Sequence, residues 1–496
     1  MARTQGGLTS PASLVPHRPG QREPLVRRVP LGAARPRCDR SSMLAARVGM
    51  GECRGSGSVN SGYPMRTPSK PAPLRAFVLG VAAASALVSV PIGRLTAAPA
   101  EDVHARNTQA RDAQARDGVS APIKITVITD LDGDLYDARS GSGGVDATRM
   151  AVEDFGGKVL GRPVVVDARD DHNKPDTVKA LAEGAYDAGA DLLMDVQNSP
   201  IAIAASKVAA ERHRLAIVTL AATPALTRGA CNKYTYHYSF DAPAIAAATA
   251  DSVAKLPDGK RWAAVVADAG FGRGAVAAFA PHIAAEGGTV VGSFVVPVGA
   301  ADIAPTLRDV AALKPDVVGV FSAGADADEK VSQVNAAGKT DGPPAHVTTA
   351  LLYLSDVDRV KGGYAGVRAT VPWYWDMDGR ARAWADRFAA VHGGLRPTAA
   401  QAADYSATTQ WLTAVAAAGT TDADAVVKTL DGRTFDDMFA RHATWRASDH
   451  MVTHDLYVVD VLPPAELRAP HAWFRVVDTV PAARAFPEAE AGACRF

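Results

Sequence analysis

The sequence predicts an α/β protein made of two doubly wound lobes, each a parallel sheet with helices on both faces. Three observations carry this. From residue 123 onward, short apolar runs alternate with amphipathic helical stretches, the pattern of parallel strands covered on both sides. The alternation comes in two series, one from 123 and one from about 242, which implies two lobes. The chain of 496 residues, 47% hydrophobic and 21% charged, is long enough for both.

Residues 1–70 are rich in Arg, Pro, Gly and Ser without apolar periodicity, and read as a disordered or overextended start. Within 71–100, Arg75 precedes the uncharged run 76–90, and Ala98-Pro99-Ala100 follows. A basic residue, a short apolar core and a small-residue cleavage site together read as a secretory signal peptide. Met65 is the start that gives this signal a normal length. The apolar core is too short to span a bilayer comfortably, although a membrane anchor is the plainer alternative. Residues 101–122 form a polar linker.

Ile123–Thr129 is the first predicted strand; a loop at 130–144, heavy in Asp, Gly and Ser, leads into a helix to about 155. A strand at 163–167 and a helix at 174–188 follow. The 192–227 stretch then supplies a β-α-β unit. Its apolar run ends in Gln197-Asn198-Ser199-Pro200, where Ser199 reads as N-cap and Pro200 as the first helical residue. Ile201, Ala204, Ala205, Val208 and Ala209 recur on one helical face. The next strand, 215–220, ends in Ala221-Ala222-Thr223. Neighbouring parallel strands therefore deliver Asn198, Ser199 and 221–223 to one carboxyl edge, where open α/β sheets bind ligands. Free N–H groups at the helix start suit an anion such as a carboxylate. The plainer reading is an ordinary βαβ turn with a good cap.

Tyr234, Tyr236 and Tyr238 alternate as on a strand. The second series has predicted strands at 262–267, 290–296, 317–321 and near 347, with helices at 244–255, 273–286, 303–312 and 327–338. A strand at 367–372, helices at 379–391, 399–418 and 423–430, and a strand at 455–461 complete the chain.

Enzyme and metal signatures are weak. The glycines at 141–144 and 270–274 miss the dinucleotide spacing, and neither stretch has a phosphate-loop Lys-Ser/Thr pair. No GxSxG elbow follows the linker. His450 and His454 precede a strand rather than sharing a helix, and Asp167, Asp170, Asp171 and His172 read as a solvated turn. A formal net charge of +0 gives no electrostatic case for nucleic acid. Cleavage after the signal would leave Cys231 and Cys494. In an oxidising compartment these pair as a disulfide tying the tail at 481–496 to the first lobe, or remain two separate thiols.

The 192–227 stretch resembles the Leu/Ile/Val-binding family of periplasmic solute receptors, the type I periplasmic binding proteins. Members carry a Ser-containing turn before a helix, then a strand ending in a small-residue loop before a Leu-Thr pair; here these are Asn198-Ser199, 221–223 and Leu226-Thr227. Matching stretches at 123–137, 147–166, 267–274 and after 367–372 extend the likeness over about 123–496. The family chain crosses between lobes three times. That places 123–241 and 373–440 in lobe 1, 242–372 and 441–480 in lobe 2, and the crossings in a hinge.

The resemblance implies the solute-binding component of an ABC importer, a periplasmic monomer without cofactor, metal or catalysis. It would close on a small polar organic ligand and present it to an inner-membrane permease. The ligand classes are amino acids, aromatic or aliphatic carboxylates, and amides. Expected contacts are Tyr136, Asn198, Ser199, Ala221, Ala222, Thr223, Phe271, Tyr374, Trp375 and Asp376. Phe271 stands where members carry a ligand-covering aromatic. The 373–375 aromatics would wall the cleft, or instead pack the hinge. Amino-acid binders use a second-lobe acid on the ligand ammonium, but 348–353 (TTALLY) has none; a small aromatic or aliphatic carboxylate is then at least as good an expectation as an α-amino acid, with Asp376 the partner of a cationic ligand. The other classes of reading are a secreted α/β enzyme on a small polar substrate and a non-transport ligand-sensing domain. The enzyme needs a nucleophile–base pair in the cleft, and these contacts hold neither His nor Cys.

Overall fold

The computed structural model describes residues 121–131, 138–338, 346–487 and 494–496. The expected start, the signal segment, most of the linker and Tyr136 lie outside the described residues.

The first lobe begins with β1 (Ile123–Thr129), α1 (Ala138–Asp154), β2 (Lys158–Val159) and β3 (Arg162–Asp170). It continues through α2 (Pro175–Asp187), β4 (Leu192–Asp195), α3 (Ser199–Arg212), β5 (Leu215–Val218) and β6 (Thr235–His237). The sheet order is β2-β3-β1-β4-β5-β6, with every pair parallel except β2 with β3. Strands β4 and β5 are buried along their whole length, as apolar runs between two helical layers must be. On α3, Ile201, Ala202, Ala205, Val208 and Ala209 form the buried face.

The chain then passes to the second lobe. There α4 (Ala242–Ala254), β7 (Arg261–Ala267), α5 (Gly270–Ala285) and β8 (Thr289–Val296) precede α6 (Ala304–Ala312) and β9 (Val317–Phe321). Next come α7 (Gly324–Gly338), β10 (His346–Thr349), α8 (Leu354–Val360) and β11 (Arg368–Val371). A second passage leads to α9 (Gly379–Val391), α10 (Ala399–Ala418) and α11 (Ala423–Leu430). Their bounds follow local signals. Asp378 and Asp422 cap α9 and α11, Thr398 and Gln401 form a capping box on α10, and left-handed Gly419 ends it.

Short strands β12 (Thr434–Phe435), β13 (Ala443–Trp445) and β14 (Val452–Thr453) form a separate antiparallel sheet. The sequence reading moves to lobe 2 at 441, and here the structure differs. Fully buried Trp445 packs edge-on to Tyr236 at 4.9 Å and against Tyr238 at 5.4 Å, which holds this sheet on the first lobe. After it, β15 (Leu456–Val461), β16 (Phe474–Val480) and α12 (Ala482–Ala485) complete the chain. The second sheet runs β16-β15-β11-β10-β9-β7-β8, with β15 and β16 antiparallel at one edge.

The expected 130–144 loop is shorter than its composition implies, because α1 starts at 138. Its glycines serve packing. A Cβ on Gly143 would stand 3.0 Å from Gln401 Cγ on α10, so the two helices approach at backbone distance.

Candidate ligand-binding site

Strand order reverses between β1 and β4 in one lobe and between β7 and β9 in the other. Ligands of open α/β sheets lie outside the carboxyl ends of strands at such points. In the first lobe the chain leaves β4 through Asp195 and Val196, at φ 74° and 60°. This left-handed turn re-aims the backbone before α3. The N-cap is Asn198, not Ser199, and Pro200 is the second helical residue. The Asn198 side chain does not cap the helix; its Nδ2 donates to Asn173 Oδ1 at 2.8 Å. The first-turn N–H groups of α3 thus have no side-chain acceptor from the cap, with half-buried Ser199 beside them.

Ala221, Ala222 and Thr223 form a strap beside that helix start. The Ala225 N–H donates to Thr223 Oγ1 at 3.2 Å, the Ala222 carbonyl accepts from Ala242 N at 2.8 Å, and the Ala221 carbonyl lies 2.5 Å from His237 Nε2. The strap is therefore tied to the first passage between lobes. From the second lobe, Phe271 sits half-buried in the first turn of α5. Leu220, Ala222 and Ala400 share one buried apolar cluster with Phe321 and Ala350, and Phe271, Leu351 and Tyr353 pack against it. Ala222 thus lies inside, and Phe271 at the margin of, one extended apolar cluster.

The aromatic run is placed differently. Trp373, Tyr374 and Trp375 are 2%, 3% and 4% exposed, so they pack the second passage rather than stand free. Trp373 Nε1 donates to the Met438 carbonyl at 2.9 Å and Trp375 Nε1 to the His471 carbonyl at 3.1 Å. The Arg396 guanidinium lies 4.3 Å from the Trp375 ring centre. Asp376 is paired with Arg382 at 3.1 Å. Tyr374 and Trp375 do line a small recess, partly open to solvent, with Tyr353, Thr398 and Phe474.

Sequence reasoning missed Asp195 and Asp404 under this edge, and it read Asp171 as part of a solvated turn, whereas Asp171 is 1% exposed. Burial pushes the Asp195 carboxyl up to about 7, and burial with neighbouring Asp195 pushes Asp404 well above its ordinary range. Burial also raises Asp171 to about 6, helped by Asp130 and Asp170. The one available signal for Asp404 was its place as the lone charged residue of its helix. In the second lobe the first acid after 348–353 is Asp356. It accepts from the Tyr353 N–H at 3.2 Å and pairs with Arg359 at 2.9 Å, so it serves the start of α8.

Cys231 and Cys494 are bonded to each other, with Cα atoms 5.8 Å apart. Among the described residues no cluster of three or more His, Cys, Asp or Glu could hold a metal ion, and no helix is long and apolar enough to cross a membrane.

The model of the family described as periplasmic binding protein matches residues 122–463. This chain belongs to that family. A periplasmic binding protein from Burkholderia mallei is 35% identical, with a TM-score of 0.67 over 74% of this chain and 96% of that one. A branched-chain amino acid ABC transporter periplasmic ligand-binding protein from Burkholderia xenovorans is 30% identical, with a TM-score of 0.70 over 74% and 97%. An ABC-transporter solute-binding protein from Rhodopseudomonas palustris, in complex with benzoate, shares the fold at 21% identity, with a TM-score of 0.64 over 76% and 100%. No curated protein matches the chain. The two-lobed, type I architecture expected from the sequence is the architecture of this periplasmic binding protein.

Proposed function

We propose that this periplasmic binding protein is the solute receptor of an ABC importer for a small carboxylate, aromatic or aliphatic, rather than an α-amino acid. One observation carries the ligand class. The start of α3 offers backbone donors that its own cap leaves free, while 348–353 offers no acid to an ammonium group. A helix N-terminus with unmatched N–H groups favours an anion. Ser199 and the 221–223 strap take the carboxylate, and Phe271 covers the apolar body, with Tyr374 and Trp375 behind it. That the fold accommodates benzoate in the protein from Rhodopseudomonas palustris supports this reading. Closing on the ligand favours the shut state, the form presented to the inner-membrane permease. The receptor acts as a periplasmic monomer after removal of 71–100, and binds its ligand without transforming it.

A thermal-shift panel of amino acids, benzoate and hydroxybenzoates, short aliphatic carboxylates and amides tests the proposal, because a ligand of the native state raises the melting temperature. Carboxylates should shift it more than the matching α-amino acids. A shift with α-amino acids alone, or with no compound, would overturn it.

A further inference from the structure

Asp195 ends β4, Asp404 lies in the second turn of α10, and Thr219 follows β5. Both carboxyls are fully buried. Thr219 Oγ1 stands 2.7 Å from Asp404 Oδ1 and 3.4 Å from Asp195 Oδ1. A hydroxyl carries one hydrogen and can donate to only one of them. The other oxygen then faces a lone pair unless the acid brings its own hydrogen. Asp404 Oδ2 has no hydrogen-bond partner among the described residues.

No side chain separates the two groups on the α1 side. A Cβ added to Gly144 would stand 2.7 Å from Asp404 Oδ2 and 2.9 Å from Asp195 Oδ2, so both oxygens converge on bare backbone. Among the described residues, the other groups found facing the pair bring no positive charge. Thr129 approaches from β1, Gln197 Nε2 donates to Asp195 Oδ2 at 3.3 Å, and Asp171 adds a further negative charge from beyond β3. Two buried carboxylates with no described cationic side chain between them repel and are poorly solvated.

We propose that Asp195 and Asp404 hold a single proton between them at neutral pH, and that this proton docks α10 onto the first sheet. With the acid form on Asp404, its O–H donates to Thr219 and the Thr219 hydroxyl donates to Asp195. Every contact then has one hydrogen, and one negative charge remains where two would stand. Asp195 lies two residues before Gln197 and Thr219 two before Ala221, so the pair sets both turns of the candidate site. That last consequence rests on the function proposed above; the test below reads the proton and needs no ligand.

Infrared spectra of the mature protein at pH 7 should show a protonated carboxyl band that weakens in both Asp195→Asn and Asp404→Asn. Unfolding calorimetry in buffers of different ionisation enthalpy should then count about one proton fewer released by either variant than by the wild type. If one variant fails to fold, the other and Thr219→Val, which should shift the same band by removing its partner, carry the test. An unchanged band and proton count would overturn the proposal. So would a melting temperature raised by Na⁺, K⁺ or Ca²⁺ with no band assignable to the pair, which would put a metal cation where the proton is placed.

Discussion

Arg368 and Asp460 face each other directly on β11 and β15 and join through two hydrogen bonds, at 2.7 Å and 3.0 Å. Both are about four-fifths buried, with side-chain exposures of 19% and 18%. The pair fastens the strand entering the second passage to the strand leaving the third. A forked, partly buried ion pair of this kind is worth more than a surface one. Arg368→Met should destabilise the protein by about 1–3 kcal/mol, since it strips one of the partners of a buried carboxylate. Urea unfolding checks this, and an unchanged midpoint would show the pair to be incidental.

The carboxylate reading predicts that Ser199→Ala weakens binding roughly tenfold with little change in melting temperature, because one hydrogen-bond partner of a desolvated anion is lost. Phe271→Ala should weaken it at least as much through lost aromatic burial. Titration calorimetry with the compound selected by the thermal panel decides both. Unchanged affinity in the two variants would make the 192–227 unit scaffold.

Asp171 offers a pH prediction. Its carboxyl is raised by burial from 3.8 in the unfolded chain to about 6 in the fold. The folded state therefore holds a proton that the unfolded state releases between these values. Its contribution to stability is complete below about pH 4 and is lost as pH rises through about 6. Asp171→Asn keeps an acceptor for the Asn173 N–H, a 2.7 Å bond in the wild type, and should flatten the fall in melting temperature over that window. A slope identical to the wild type would refute this assignment.

Cys494→Ser should lower stability. The bond closes a span of 263 residues, and loop entropy puts the loss on the order of 5 kcal/mol as an upper figure. Thiol titration of denatured, unreduced mature protein should find no free thiol. Two free thiols would show that the bond does not form in the exported protein.

N-terminal sequencing of the exported protein should begin near Glu101, after Ala98-Pro99-Ala100. A mature chain retaining the 76–90 run would contradict release into the periplasm.

Much of the fold was legible because its signals are local. The sequence reading of 379–391, 399–418 and 423–430 matches α9, α10 and α11, whose caps and apolar spacing lie within a few residues. Features set by distant packing were not legible. The 141–144 glycines look like a loop until α10 is laid against them. The 373–375 aromatics look exposed until Met438, His471 and Phe474 arrive from later in the chain. The Asp195–Asp404 proximity spans two turns and a helix more than two hundred residues away, and no spacing rule reaches that far.

Cys231 precedes the first passage between lobes, and Cys494 follows β16 and α12. The whole second lobe, all three passages and the 434–453 sheet therefore lie inside one covalent ring. A protease that cuts once within the ring yields a nicked molecule whose pieces stay attached. It should run as a single band on a gel until a reducing agent separates the fragments. A cut in the partly exposed second-lobe strand β8 would in this way leave the receptor in one piece in an oxidising compartment.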